Sequence, residues 1–321
     1  MNIFANLKPN QMGAISAMIA VFFFSVNDGA IKFLSGGYAL HEVVLIRSAI
    51  GLVIILVLIA PLTDGRAIFH TKLLRLHLIR GLCVVVANMT FFLGLAAMPL
   101  ADAVAIFFVS PLVITIFSVV FLGEHVGPRR WGAVIVGLIG VGVMMRPGTA
   151  SFQYASLLPV AAAVAYAGLH MLTRKIGRTE SAATMAFYIQ IVFIVVCLTI
   201  GLMVGDGRFG DQTDPSLRFL LRAWVWPVAA DIPIMILVGF GVAVGGYFIS
   251  QAYRVAEAAL VAPFEYLALP LSVLWGIVVF DEWPDAVSYL GMALILGAGL
   301  FIVWRESITI DEPLQNPRVR R

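Results

Sequence analysis

Charge is scarce in this chain. Of its 321 residues only 12% are charged, against about 25% in a typical soluble domain, while 61% are hydrophobic and mean hydropathy is +0.99. That shortage leaves no room for a sizeable water-soluble domain, so most side chains must face lipid or other apolar helices. Cysteine is nearly missing as well. Cys83 and Cys197 both fall inside apolar runs, where a thiol serves as a small hydrophobe and neither a disulfide nor a metal site is expected. The histidines, His41, His70, His77, His125 and His170, are scattered without metal-ligand spacing, and no cofactor is expected. No glycine-rich loop ends in Lys followed by Ser or Thr, which removes nucleotide-driven work within the chain. Other enzyme motifs are absent too, and the reading is of a protein that is not an enzyme. A net charge of +3, with no basic run interleaved with aromatics, gives no reason to expect nucleic acid as a partner.

Long apolar runs recur from Met12 to Trp304, broken by short segments where Lys, Arg, Asp and Pro collect. A hydrocarbon core about 30 Å thick needs about 20 helical residues. Segmenting on that basis gives ten spans, near 12–34, 41–61, 74–97, 101–122, 130–145, 153–174, 181–205, 231–252, 258–280 and 286–304. The first is too long for a secretion signal and lacks a small-x-small cleavage site. With the N-terminus in the cytoplasm, fourteen Lys and Arg residues fall on inside segments and four outside, an asymmetry that places both termini inside. The longest connection, 206–230, carries Leu217, Phe219, Leu220, Leu221, Trp224 and Trp226 beside Arg218 and Arg222. It reads as a segment lying flat at the outer interface as an anchor.

The two halves echo one another. Asn27 to Lys32 at the end of span one aligns with His170 to Lys175 at the end of span six, an offset of 143 that also pairs Arg47 with Gln190. Ala101-Asp102-Ala103 matches Ala256-Glu257-Ala258, and Phe121-Leu122-Gly123-Glu124 matches Val279-Phe280-Asp281-Glu282. Five spans per half is an odd number, so the second half must cross the membrane in the opposite sense. The charges agree, since Arg129 and Arg130 follow Glu124 whereas Asp285 and no base follows Glu282. Inverted repeats are how many secondary transporters build two access states from one packing unit.

An ionisable residue in mid-span costs about 2.5 to 3.5 kcal/mol on insertion scales and therefore needs a reason. Asp28 and Arg47 lie at a shared depth and could pair. Asp28 and Lys32 stand four apart, an acid-before-base arrangement that also favours a local pair; the alternative is that Lys32 snorkels and Asp28 merely neutralises a neighbour. Glu265 sits about 10 Å into span nine at the helical rise per residue, with no base nearby in sequence. It could carry a coupling proton, bind a cationic or hydroxylated substrate group, or make a structural hydrogen bond to another helix. Pro263 and Pro270 flank it, and Pro111 beside Ser110 interrupts the corresponding helix of the first half. Corresponding interruptions in two halves point toward a binding site.

Neutral polar groups at similar depths are Asn27, Asn88, His170, Gln190 and Gln251, each either a helix-to-helix hydrogen bond or a ligand contact. Arg80, near the inner end of span three, is expected to snorkel. Aromatics are dense around the expected cavity: Phe92, Phe107, Phe108, Tyr166, Tyr247, Tyr253, Phe264 and Tyr266. They serve packing or a planar, amphipathic ligand. The candidate substrate-binding residues are thus Asn27, Asn88, Phe92, Phe107, Tyr166, His170, Tyr247, Gln251, Glu265 and Tyr266, with Asp28, Arg47 and Glu265 for charge pairing or coupling.

The run from Leu95 through Pro99 and Ala101-Asp102-Ala103, then Ser110-Pro111, Leu122-Gly123-Glu124 and Gly132, Gly137 and Gly140, resembles the EamA-type branch of the drug/metabolite transporter superfamily. The second-half copy, from Gln251-Ala252-Tyr253 through Pro263 to Asp281-Glu282 and Gly291, is similar, so the resemblance covers nearly the whole chain. It implies an all-α membrane protein of ten helices in two inverted five-helix repeats, 1–148 and 149–306, followed by a polar cytoplasmic tail, 307–321. It also implies a central cavity lined mainly by spans one, three, four, six, eight and nine, working by alternating access in the inner membrane. Glu265 departs from the small or apolar residue expected there. Members move amino acids, nucleotide-linked metabolites, polyamines and vitamins; the aromatic lining here favours a neutral or zwitterionic planar metabolite such as riboflavin. Amino-acid or toxic-metabolite efflux stands as the alternative, with a channel or a membrane-embedded enzyme as the other class. The expected partners are a small-molecule substrate, the lipid bilayer and, for a coupled carrier, protons; both a monomer and a homodimer remain open.

Overall fold

The protein is described by a computed structural model covering residues 9–62, 65–123, 126–149, 153–176, 180–256 and 258–310. It is helical, and ten of its segments are long and apolar enough to cross a membrane. The principal helices are α1 (Pro9–Leu34), α2 (Leu40–Ile54), α3 (Leu74–Ala97), α4 (Leu100–Phe107), α5 (Ser110–Leu122), α6 (Pro128–Met145), α7 (Leu157–Ile176), α8 (Ala182–Val204), α9 (Pro215–Leu221), α10 (Ile232–Val255), α11 (Ala258–Glu265), α12 (Ala268–Phe280) and α13 (Ala286–Ile310). A π-helical turn, Ile55–Ile59, extends α2. We call the end of the bundle where α1 starts the near end and the end where it finishes the far end.

Spans four and nine are each two helices in series, α4 with α5 and α11 with α12, and proline explains both breaks. Pro111 and Pro270 lack the N–H that would bond the carbonyl four residues back and their rings crowd that carbonyl. Those carbonyls belong to Phe107 and Tyr266, and the α-helical ladder stops at the same places. Tightened bonds to the third residue back take over, from Val109 N to Ile106 O and from Leu269 N to Tyr266 O, each 3.1 Å. The two broken spans also finish alike, with Gly123 after α5 and Asp281 after α12 in the left-handed region at φ 66° and 54°. A C-terminal residue of that conformation ends a helix by turning the next backbone groups back, and Glu282 N accordingly bonds Gly276 O at 2.9 Å.

Packing follows an ordered set of pairs. α1 runs along α10, α3 along α7, α2 along α8, and α6 along α13. In addition α2 meets α10 and α3 meets α8; α1 meets α11 and α12 while α7 meets α4 and α5; and α4 meets α12. Exchanging each span with the one five further along maps these pairs onto one another. The α6 to α13 contact is close because of glycine: a Cβ on Gly140 would run into Leu294 and Ile295, and one on Gly291 into Met144. Small residues let membrane helices approach where there is no hydrophobic drive between them.

The 206–230 segment, expected at the outer interface, is tied into the bundle by its own contacts. Asp214 caps α9 by accepting from Leu217 N at 2.9 Å, Ser216 donates to Leu93 O at 2.7 Å, and Phe219 is fully buried. Trp224 Nε1 donates to His41 Nδ1, whereas Trp226 is 94% exposed. One side of the segment therefore packs into the bundle, while Trp226, with Leu217 and Val228, keeps the exposed position expected of an interface anchor.

Candidate functional site

The middle of the bundle holds a continuous aromatic run. Phe92 and Phe91 on α3 stand 5.7 Å apart between ring centroids, Phe91 reaches Phe107 at 5.1 Å, and Phe107 reaches Tyr166 on α7 at 5.3 Å. Tyr166 in turn meets the His170 ring at 4.5 Å. A branch leaves through Phe108 to Tyr266, 5.0 Å away across the two breaks. Aromatic side chains of both halves thus meet at the breaks.

Polar groups bound this run. At one end the buried Arg47 lies over the rings of Phe92 and Phe193, 5.4 and 5.1 Å from their centroids, and donates to Asn88 Oδ1 at 3.3 Å. Cation–π contacts of this kind contribute about 0.5 to 2 kcal/mol each, which is why a guanidinium is tolerated there. Asp28 is within electrostatic reach of Arg47, but its hydrogen bond comes from Asn27 Nδ2 at 3.1 Å. The two share a neighbourhood without direct contact. Gln190, the sequence counterpart of Arg47, lies against Gly51, one turn beyond Arg47. At the other end Glu265 closes α11 immediately before the break, within electrostatic reach of Tyr166 and Tyr266. The Tyr266 hydroxyl is buried and has no hydrogen-bond partner among the described residues.

Other candidates stand apart. Tyr247 is 53% exposed on α10, with its ring against Phe248, so it does not join the aromatic run. Gln251 is half-buried one turn further along α10, and the Tyr253 side chain lies outside those described. Arg80 does not snorkel: it is buried, donating to Thr173 Oγ1 at 2.8 Å and Met185 O at 3.2 Å, which ties α3 to α7 and α8. Nor does Lys32 pair with Asp28. Its Nζ is 2.8 Å from Glu282 Oε1, donates to the carbonyls of Leu95, at 3.2 Å, and Met98, and lies 5.3 Å from the Phe280 ring centroid.

Sequence reasoning did not find two polar clusters. At the near end His77 is buried, stacked on Tyr188 at 4.8 Å with Nε2 3.6 Å from Glu180 Oε2, and Thr71 donates to Glu180 at 2.8 Å. At the far end Arg146 grips both oxygens of Asp285. That hydrogen bond holds the Asp285 carboxyl down at about 2. These two residues border a hollow of about 250 Å³ whose walls include Asp102, Trp283, Gln153 and Ser288. A second hollow, about 10 Å³ and large enough for one water, lies between α1, α4 and α12, lined by Ser25, Asp28, Leu100, Val104, Ala268 and Ser272. Among the described residues no group of His, Cys, Asp or Glu side chains is arranged to hold a metal ion.

Chemically, the site offers aromatic faces for a planar group, one cation at Arg47 and carboxylates at Asp28 and Glu265. Residues 11–146 match the profile of the EamA-like transporter family. A riboflavin transporter of Rhizobium johnstonii is 31% identical over 242 residues, 75% of this chain and 74% of its own. An S-adenosylmethionine uptake transporter of Rickettsia prowazekii is 26% identical over 300 residues, 94% of this chain and 95% of its own. A protein of known crystal structure superposes with a TM-score of 0.63 at 18% identity, covering 93% of this chain and 99% of that one, a likeness of fold.

Proposed function

Because the chain belongs to the EamA-like transporter family, and is thereby a multi-pass membrane transporter of small molecules, we propose that it is a secondary carrier working by alternating access on a planar metabolite of the riboflavin type. The observation that carries this reading is the aromatic run from Phe92 through Phe91 and Phe107 to Tyr166, with Arg47 at one end and Glu265 at the other. A flat heteroaromatic ring stacks on such faces, and its polar substituents find a cation and a carboxylate. Phe92, Phe107, Tyr166 and Tyr266 would supply the stacking surface; Asn27, Asn88 and His170 would orient the polar edge.

The carrier mechanism draws support from the packing pairs, which exchange when the halves, 1–148 and 149–306, are exchanged, as two inverted repeats would require. The same exchange relates the breaks at Phe107 and Glu265. In this reading the near end faces the cytoplasm with both termini, and the membrane is the cell inner membrane. Reporters fused at Lys8 and Arg321 are both expected on the cytoplasmic side; a periplasmic C-terminus would remove this arrangement. Glu265 is the group we assign to proton coupling or to a cationic substituent.

A second reading is favoured by the carboxylates Asp28 and Glu265 together with the S-adenosylmethionine uptake transporter among the relatives: a cationic, adenine-bearing substrate. Saturable uptake of labelled riboflavin, S-adenosylmethionine and a set of amino acids into proteoliposomes decides among these. Riboflavin uptake that saturates and is blocked by excess unlabelled riboflavin is expected. Uptake of amino acids alone would replace the reading with the efflux-carrier alternative, and flux that never saturates would indicate a channel.

A further inference from the structure

The Lys32 to Glu282 pair occupies a mechanical position of its own. α4 and α12 each have a break at one end, after Phe107 and before Ala268, and each has its other end at the far face. Glu282 joins those free ends. One carboxylate oxygen takes Lys32 Nζ at 2.8 Å, and the other accepts from Leu100 N, at the start of α4, at 2.9 Å. Lys32 meanwhile holds the last carbonyls of α3 and its cap, those of Leu95 and Met98. A single ion pair therefore fastens α1, the α3–α4 junction and the tip of α12. Directly beneath it, one helical turn down from Lys32, lies Asp28 with the small hollow between α1, α4 and α12.

Every acceptor of the Lys32 ammonium except Glu282 belongs to the first half. If α12 pivots at its break, Glu282 leaves and Lys32 keeps its two carbonyls, with Asp102 on α4 within electrostatic reach as the remaining anion. The separated state is thus not one of a naked buried charge, and the link can break and re-form at modest cost. A two-state contact of this kind is what a gate requires. Arg146 with Asp285 bridges the same halves further out.

We propose that Lys32 and Glu282 are the far-end gate of the transport path, a latch that seals the hollow beside Asp28 and must open once in each cycle. This inference rests on the carrier reading for its purpose, but its first test needs no substrate. Ser272, only 2% exposed and lining that hollow, is replaced by Cys in the full chain with Cys83 and Cys197 changed to Ala. A membrane-impermeant maleimide is then applied from the far-end side. Glu282→Gln, which keeps size and shape, is expected to raise the labelling rate about tenfold, the mark of a population shift toward the open form, and Lys32→Gln is expected to do the same. Ser272→Cys labelling that is unchanged in a folded Glu282→Gln protein overturns the proposal. A second arm tests opening: Lys32→Cys/Glu282→Cys bridged by a short bis-thiosulfonate should lose uptake and recover it on reduction. Undiminished uptake in the bridged protein also overturns the latch, while absence of uptake in every variant, with labelling behaving as expected, would count against the substrate reading alone.

Discussion

At the far end of the bundle the two halves meet through charge: Lys32 with Glu282, and Arg146 with Asp285. At the near end, where Gly13 faces Ala256, α1 meets the second half through small apolar residues, Ala17, Ala252 and Val261 packed with Ala256 and Phe264. The near-end polar links between the halves lie away from α1, with Arg80 on α3 binding α7 and α8 and His77 beside Glu180. Polar links are directional and few, so they hold one geometry and are lost together when it changes. Small-residue contacts have no such threshold and allow helices to slide. The comparison points to α1 as a helix held by a switchable link at its far end and by contacts that tolerate movement at its near end.

The largest effect should come from breaking the far-end pair unevenly. Glu282→Ala leaves the Lys32 ammonium with two carbonyls and Asp102 as the remaining anion within electrostatic reach, which reduces the cost of about 3 to 5 kcal/mol for removing one member of a fully buried pair. Because Glu282 is 26% exposed, the lower figure is expected, measured as loss of thermal stability in detergent, and Lys32→Ala/Glu282→Ala together should cost less than Glu282→Ala alone. Additive losses would mean that the pair is not energetically coupled.

Next comes the near end. Gly13→Val would drive a side chain into Ala256 Cβ, and overpacking of this sort costs about 1 to 3 kcal/mol. Uptake should fall while labelling at Ser272→Cys from the far side stays low. If that labelling rises as in Glu282→Gln, the two ends are not distinct in the way described.

The third change lies between the ends and is read on transport rather than on stability. With Glu265 as the coupling group, Glu265→Gln is expected to leave affinity and folding largely intact and to make uptake insensitive to an imposed pH gradient. A fall in affinity instead would assign Glu265 to the substrate, and wild-type behaviour in all respects would leave it as a packing residue.

The smallest effect should be at the rim. Asp285 is exposed and Arg146 partly so, and pairs at such positions contribute about 0 to 1 kcal/mol, so Arg146→Gln should change stability little. The sign with pH is fixed by the depressed Asp285 carboxyl: its contribution is present above the ordinary carboxylate range and is lost only as pH falls toward about 2. The Arg146→Gln difference should therefore be flat from about pH 5 to pH 8. A difference that vanished at about pH 5 would place a titrating group other than Asp285 in that link.

What the sequence makes legible here is depth along the helices. Hydropathy located the ten spans, and Pro111 and Pro270 marked the two breaks because a missing N–H acts locally. Depth also brought Asp28 near Arg47. What it does not contain is the direction a side chain faces, or which distant helix meets it. Tyr247 sits at a suitable depth yet is exposed. Arg80 looked free to reach water because Thr173 and Met185 are far away in sequence. Lys32 was offered Asp28, four residues off, while its partner Glu282 lies 250 residues on. The signal that could have found it was present: Lys32 and Glu282 both close their spans on the face expected outside, and each has a counterpart in the other half, Lys175 and Glu124. The side chains of those counterparts lie outside the residues described.

The central claim, that one site is exposed to the two faces in turn, is tested most directly by counterflow. Proteoliposomes preloaded with unlabelled riboflavin and diluted into a trace of labelled riboflavin should accumulate the label transiently above its equilibrium level, faster than empty vesicles do. Label that merely equilibrates at the same rate with and without preloading, while uptake itself is intact, would contradict alternating access and favour a continuous pore.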